Sequence, residues 1–261
     1  MKNSTITGVP SGFPALDNLT GGWQNGTLTS IATANSDDNV SIALDMALAA
    51  AKSGIPVLYF NMTYSTEALL ERLRRRPFFD VASVETEHWR HASGEMVKLS
   101  GLPLFIDSTP GFGMEEYYMK MAEFKQWHGR FIAVIDSYGL LPRSKVFQEL
   151  ARTRDSSIEW RAEGNDLIVR LLRRSVEIFR VPVLAITYVN SLNRFREKLM
   201  IDDTGLLADL SDNVLFIDMG KTRIQRSISV EKGPGDSVAR FTAAYDPKSK
   251  MFIEIEINAT A

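Results

Sequence analysis

The residues of this chain that invite chemistry are carboxylates, hydroxyls and amides placed where apolar strands end. Asp136 closes the run Phe131–Asp136 (FIAVID), a carboxylate at the carboxyl end of a buried-type strand. The polar segment Thr33–Asn39 (TANSDDN) lies between the β-prone run Thr27–Ala32 and an Ala-, Leu- and Met-rich stretch, Val40–Lys52. A phosphate cradle is built in such a strand-to-helix loop from G-x-x-x-x-G-K-[ST]. Its glycines let backbone N–H groups wrap the phosphates, its lysine neutralises them and its hydroxyl holds Mg²⁺. No glycine occurs between Gly26 and Gly54, so no register supplies that motif here. Gly220-Lys221-Thr222 spells its last three residues, but Leu215 stands where the first glycine belongs and the context is strand to strand. We read it as a turn. Asp37, Asp38 and Asp136 form a cation site only if all three carboxylates converge. His88, His91 and His128 have no cysteine to join them in a chain of 261 residues without Cys, so no metal site is expected.

Around these residues, Thr27–Ala32, the helix from Val40 to Lys52 and Pro56–Asn61 form strand, helix, strand: a βαβ unit that implies a parallel sheet. Ser65 or Thr66 caps a helix over Glu67–Arg76, stopped by Pro77. Leu104–Asp107, Phe131–Asp136, Val183–Thr187 and Val214–Asp218 continue the apolar strands, with helices expected at Glu115–His128 and Asn165–Phe179. The last quarter, with Ile224–Val230, Ser237–Ala244 and Met251–Ile257, reads as an antiparallel tail. Pro142–Trp160 and Asn190–Asp209 read as long loops at the carboxyl edge of the sheet, where α/β folds bind ligands.

The 30 Lys and Arg against 32 Asp and Glu give a net charge of −2, which excludes a globally basic nucleic-acid binder but not local basic clusters. Three clusters stand out: Arg72, Arg74, Arg75 and Arg76 on a helix; Arg143, Lys145, Arg152, Arg154 and Arg161 in the first long loop; and Arg194, Arg196 and Lys198 in the second. The first two read as solvated surface; the third supplies the DNA-binding candidates. The polar N-terminus lacks the apolar core of a signal peptide, and the longest apolar runs are too short to span a bilayer, so a cytoplasmic location without membrane contact is expected.

Ile6–Leu28 (ITGVPSGFPALDNLTGGWQNGTL) resembles the opening of the RecA-type ATPase core of DnaB-type replicative DNA helicases. Thr7, Gly8, Gly12, Phe13, Leu16, Asp17, Gly22, Trp23 and Gln24 match its T-G-x-x-x-G-[FY]-x-x-L-[DN] and G-[WL]-Q motifs. The likeness continues through Pro56–Glu67, Ile106–Pro110, Phe131–Leu140 and Val181–Asn190. It implies an α/β, RecA-like P-loop-type core, a mostly parallel sheet flanked by helices with a C-terminal antiparallel β extension. It also implies one domain over residues 1–261, without the family's N-terminal collar.

Against that pattern the chemistry is altered. The phosphate loop corresponds to Ala34, Asn35, Ser36, Asp37, Asp38, Asn39, Val40 and Ser41. Asp38 stands where the family has the second glycine, Asn39 at the lysine and Val40 at the hydroxyl. Thr63 replaces the glutamate that polarises water, and Tyr188 replaces the sensor glutamine. Asn61 or Glu67 substitutes for that glutamate only with a different loop geometry. Around Ser229–Pro234 only Lys232 remains of the basic residues that reach a neighbour's γ-phosphate. Asp136 survives; without the loop hydroxyl it reads as a carboxylate capping a neighbouring loop rather than a Mg²⁺ ligand. No catalytic residue, metal or cofactor is expected. The protein reads as a pseudo-ATPase connected with DNA replication. It would act as a binding or regulatory module on a helicase-like partner or, weakly, on single-stranded DNA, and would not form a stable hexamer alone. The alternative is an ATP-dependent DNA helicase with an unconventional phosphate loop, using ATP and magnesium.

Overall fold

The computed structural model describes residues 6–33, 35–77, 84–143, 158–188 and 205–255. In chain order the elements are α1 (Pro14–Thr20), β1 (Leu28–Thr33), α2 (Ser36–Lys52), β2 (Val57–Asn61), α3 (Thr66–Arg74), β3 (Val84–His88), β4 (Glu95–Leu99), β5 (Leu104–Asp107), α4 (Met114–His128) and β6 (Ile132–Asp136). A 3₁₀ turn at Tyr138–Arg143 follows. Then come α5 (Ile158–Phe179), β7 (Val183–Tyr188), α6 (Gly205–Leu210), β8 (Asn213–Met219), β9 (Gln225–Lys232), β10 (Ala239–Asp246) and β11 (Met251–Ile255).

All strands join one sheet in the order β11-β10-β9-β8-β1-β7-β6-β2-β5-β4-β3. The strands from β8 to β5 pair in parallel, and their runs are buried on both faces, as a sheet covered by helices on both sides requires. β9, β10 and β11 add antiparallel strands beyond β8. The mostly parallel core with its antiparallel C-terminal extension is therefore present. Alternate residues of each core strand point to opposite faces. Ile31, Tyr59, Val134 and Leu184 pack with α2 and α3, while Leu28, Leu58, Ala133 and Val183 pack with α4 and α5.

The opening motif is a structural lock. Val9 and Trp23 exchange backbone hydrogen bonds of 2.9 and 2.8 Å, and the Gln24 amide donates to the carbonyls of Gly21 and Gly22 at 3.0 and 3.1 Å. Asp17 accepts the Ser11 N–H at 2.9 Å. Gly12 has φ +87°, and a Cβ there would stand 2.8 Å from that of Ala49 on α2. A residue with a side chain would strain this turn and push α2 outward.

Three features differ from the sequence expectation. β3 and β4 form an antiparallel hairpin at the sheet edge that periodicity does not reveal. Its outer residues are charged, and Lys98 pairs across strands with Glu85 and Glu87 at 3.3 and 3.8 Å. α1 and α6 are short helices where no helix was expected, α6 taking up the end of the second supposed loop and running one residue past it. α5 begins at Ile158, ahead of Asn165, so the first supposed loop ends earlier than Trp160.

Candidate functional site

The carboxyl edge of the parallel strands gathers the candidate residues. Thr33 ends β1 opposite Tyr188 at the end of β7, and Asn61 ends β2 opposite Asp136 at the end of β6. The segment between β1 and α2 is where the structure departs most from expectation. Thr33–Asn39 is not a polar loop and α2 does not begin at Val40: the helix starts at Ser36. Asn35 is its N-cap and accepts the Asp37 N–H at 3.0 Å. The Asp38 and Asn39 N–H groups donate to the Asn35 carbonyl at 3.1 and 3.2 Å. The Thr33 hydroxyl donates to the Asn39 side-chain oxygen at 2.8 Å. The reason is local: an Asn cap followed by two aspartates in the first turn favours helix initiation, and no glycine opposes it. The Asp37, Asp38 and Asn39 amides are thus tied within the turn.

The two aspartates are neutralised by the chain itself. Asp38, at 2% side-chain exposure, receives two hydrogen bonds from Arg226 of β9, at 2.6 and 3.2 Å. The Arg226 guanidinium lies 4.9 Å from the Tyr245 ring centre. Asp37 accepts from Arg72 of α3 at 2.5 Å and from Lys250 in the β10–β11 turn at 3.2 Å. The Arg72 hydrogen bond holds the Asp37 carboxyl below the usual carboxylate range. Arg72 in turn packs on Tyr64, 4.7 Å from the ring centre.

Further along α2, Asp45 pairs with the buried Arg76 and accepts the Phe252 N–H at 2.8 Å. Burial pushes the Asp45 carboxyl up to about 6, against the pull of Arg76. Arg76 also donates to the carbonyls of Ser41 and Lys250, both at 3.2 Å. The Arg72–Arg76 run is thus not simply solvated surface. Arg72 and Arg76 turn inward, while Arg74 and Arg75 stay exposed beside Glu71.

Asp136 is fully buried, and burial pushes its carboxyl up to about 6. It accepts the Tyr59 hydroxyl at 2.6 Å and the Thr63 hydroxyl at 3.4 Å. Thr63 and Asp136 are therefore brought together. Asn61 is engaged elsewhere, donating to the Tyr64 carbonyl and the Ser108 hydroxyl, both at 2.8 Å. Tyr188 is half exposed at its strand end. Lys232 donates to the Asp209 carbonyl at 3.0 Å. Gly220-Lys221-Thr222 lies in the turn between β8 and β9, where Gly220 donates to the Gln225 carbonyl at 2.8 Å. Ala34, Arg194, Arg196 and Lys198 lie outside the described residues. Among the described residues, no group of three or more His, Cys, Asp or Glu is placed to hold a metal ion.

Arg226, Lys250 and Tyr245 were not legible as site residues. They lie in the C-terminal extension or on its hairpin turn, far along the chain from Thr33, and only the folded sheet brings them to α2. The turn that carries Asp37 and Asp38 has no glycine, and the Asp37, Asp38 and Asn39 amides are engaged within it.

The family described as the DnaB-like helicase C terminal domain matches residues 8–216. The replicative DNA helicase DnaB of Rhodothermus marinus is 32% identical over 219 residues, 80% of this chain and 22% of that protein. The corresponding helicase of Leifsonia xyli is 26% identical over 196 residues, 72% of this chain and 40% of its own. The chain thus spans between about a fifth and two fifths of these curated relatives. Among solved structures, a DnaB-like replicative helicase, described with its interactions with primase, superposes with a TM-score of 0.77 at 18% identity, covering 98% of this chain and 64% of that one. That likeness carries the RecA-like α/β fold. With a family match from Gly8 to Phe216, this chain belongs to the DnaB-like helicase C-terminal domain family.

Proposed function

We propose that this protein is a RecA-like module of the helicase family that has given up ATP hydrolysis. It acts as a binding or regulatory partner in DNA replication, on a helicase-like protein or weakly on single-stranded DNA. The observation that carries this reading is the α2 N-terminus. Asp37 and Asp38 occupy the anion-favouring end of the helix, and Arg72, Lys250 and Arg226 neutralise them. The chain supplies both the anions and the cations of a phosphate site. Thr63 offers no carboxylate to orient water. On this reading the protein is cytoplasmic and needs no cofactor; no described helix is long and apolar enough to cross a membrane. With only Lys232 left of the basic residues that reach a neighbour's γ-phosphate, the free chain does not hold a stable hexameric ring.

Calorimetry with Mg-ATP tests the reading. No saturable heat is expected at millimolar nucleotide, and a dissociation constant below about 0.1 mM, near −5.5 kcal/mol, overturns it. One observation favours a second reading, an ATP-dependent helicase with an unconventional loop: Asp136 persists at its strand end with Thr63 beside it. That reading requires Asp37 and Asp38 to leave Arg72 and Arg226 when nucleotide binds. DNA binding through Arg194, Arg196 and Lys198 is expected to be weak, sequence-independent and lost with added salt. Fluorescence anisotropy on single-stranded DNA across a salt series measures it.

A further inference from the structure

Asn25-Gly26 is the only Asn–Gly pair in the chain. It forms the turn that joins the opening motif to β1. Gly26 has φ +74°, the left-handed backbone that glycine adopts without strain. The Thr27 hydroxyl donates to the Gln24 carbonyl at 2.7 Å and closes the turn. Asn25 itself is exposed.

Other asparagines are held in place. Asn35 accepts the Asp37 N–H, Asn39 accepts the Thr33 hydroxyl, Asn61 donates to the Tyr64 carbonyl, and Asn213 donates to the Thr29 hydroxyl. Each of them is followed by a residue with a side chain: Ser36, Val40, Met62 and Val214. Among the described residues, neither the Asn25 side chain nor the Gly26 N–H has a hydrogen-bond partner. An unheld side-chain amide therefore stands next to an unheld backbone nitrogen, and no Cβ on Gly26 blocks the approach of one to the other.

That juxtaposition sets up a reaction within the chain. The Gly26 nitrogen gives its proton to a solvent base and attacks Asn25 Cγ. The bond from Cγ to Nδ2 breaks, and Nδ2 leaves as ammonia with a proton taken from solvent. Water then opens the five-membered imide. Addition at Cγ leaves an aspartate on an ordinary backbone. Addition at the main-chain carbonyl carbon leaves isoaspartate, whose backbone runs through Cβ and Cγ. Water is the only co-reactant, and nothing is oxidised or reduced.

We propose that Asn25 is a site of spontaneous deamidation and that its isoaspartyl product loosens the opening lock. Isoaspartate inserts one methylene between two fixed points. On one side, the Gln24 amide holds the carbonyls of Gly21 and Gly22 at 3.0 and 3.1 Å. On the other, the Thr27 carbonyl accepts the Val183 N–H at 2.9 Å, at the head of the β1–β7 pairing. β1 lies between β7 and β8 inside the sheet, so the added length is taken up on the Gln24 side. An ordinary aspartate brings charge to an exposed turn but no extra length, and leaves the lock closed. The site lies at the start of β1, the opposite end from the α2 N-terminus, so it stands or falls apart from the nucleotide reading.

The test incubates the folded full-length chain, in neutral and in mildly basic buffer, beside a synthetic peptide of residues 21–30. Cleavage before aspartate releases residues 17–36, in which mass spectrometry follows the gain of one mass unit, and an isoaspartyl methyltransferase marks the iso form. Conversion at Asn25 is expected ahead of every other asparagine and faster at the higher pH, because the attacking nitrogen must lose its proton. Asn25→Gln requires a larger ring and should suppress the conversion without shifting the melting temperature. The isoaspartyl form, separated by chromatography, should melt below the unmodified chain, whereas Asn25→Asp should melt with it. A folded chain that stays unmodified while the peptide converts overturns the site, since the turn would then hold the Asn25 amide away from Gly26. So does a mass gain that persists in Asn25→Gln. An isoaspartyl form as stable as Asn25→Asp overturns the loosened lock.

Discussion

Two buried charge networks fasten antiparallel additions to the parallel core, and they do so differently. On one side the C-terminal extension is clamped to α2: Arg226 meets Asp38, Lys250 meets Asp37, and Asp45 accepts from Arg76 and from the Phe252 backbone. On the other side the β3–β4 hairpin is tied to α4 and β5. Lys120 is completely buried 2.7 Å from Asp107, which also accepts the Trp89 indole N–H at 2.9 Å and the Thr109 N–H at 2.8 Å. The Lys120 ammonium lies 4.9 Å from the Phe112 ring centre. In the hairpin network one carboxylate is shared by several donors. In the α2 network Asp38 depends on Arg226 alone and Asp45 on Arg76 alone, while Asp37 takes both Arg72 and Lys250, all drawn from distant parts of the chain. The first arrangement tolerates loss of one member better, because removing one partner of an isolated buried pair strands the other charge.

The largest effect should therefore come from Arg226. Arg226→Met leaves Asp38 buried without its cation and should cost about 3–5 kcal/mol in urea unfolding. Adding Asp38→Leu should recover most of that, since an apolar pair of similar volume often equals or exceeds a buried ion pair. A double variant no more stable than the single one would mean that the pair is not an isolated unit. The same geometry bears on nucleotide grafting: any change of Asp38 to glycine orphans Arg226, so it destabilises the chain as it opens the loop.

Lys120→Met should cost less, about 1–3 kcal/mol, because Asp107 loses an ion pair but keeps its hydrogen bonds from the Trp89 indole and the Thr109 N–H. Thermal melts of the two single variants side by side measure the contrast, which is lost if Lys120→Met costs as much as Arg226→Met.

Asp45 and Asp37 of the α2 network, with Asp136 at the end of β6, also have a pH signature. Asp45 and Asp136 are both raised to about 6 by burial, above their unfolded value near 3.8. The native state therefore binds more protons than the unfolded chain between about pH 4 and 6. The stability these groups contribute is full below that window and is lost as pH rises through it. Asp37, lowered, has the opposite sign: its contribution is present above about pH 4 and lost as pH falls below it. Asp45→Asn should remove its share of the slope between about pH 4 and 6, on the order of 2 kcal/mol across the window. Urea midpoints against pH, compared with the unaltered chain, read it; an unchanged slope would remove Asp45 as a titrating group.

The core strands and the main helices between them were legible because apolar runs separated by Gly, Pro and Asn punctuation imply a parallel sheet, whereas the order of the strands within that sheet was not. The opening motif was legible through its resemblance to the helicase core; the turn in which Asp17 accepts the Ser11 N–H beside Gly12 was not. The β3–β4 hairpin was hidden by its charged alternation, Val-Glu-Thr-Glu-His. The site was half legible. Missing glycines marked the segment after β1 as unusual, but the sequence could not reveal that Asn35 would cap a helix starting at Ser36. Nor could it pair Asp38 with Arg226, 188 positions away. Short-range chemistry is written locally, whereas a buried ion pair is written only in the topology.

The smallest effect sharpens that point within a single run of sequence. Arg72, Arg74, Arg75 and Arg76 are alike by composition, yet the helix turns two of them inward. Arg74 and Arg75 are each 52% exposed in their side chains, with Glu71 at 3.9 and 3.4 Å. Exposed pairs of this kind gain little over solvation and are screened by salt. Arg74→Ala and Arg75→Ala should each change stability by less than about 0.5 kcal/mol. Arg76 has 1% side-chain exposure and bonds to Asp45, Ser41 and Lys250. Its removal strands a buried carboxylate and two carbonyls, so Arg76→Ala should cost several times more. Chemical denaturation of the three variants in one buffer separates the cases. A cost at Arg75 approaching that at Arg76 would mean that the exposed arginines also carry structure, and that burial does not divide the run.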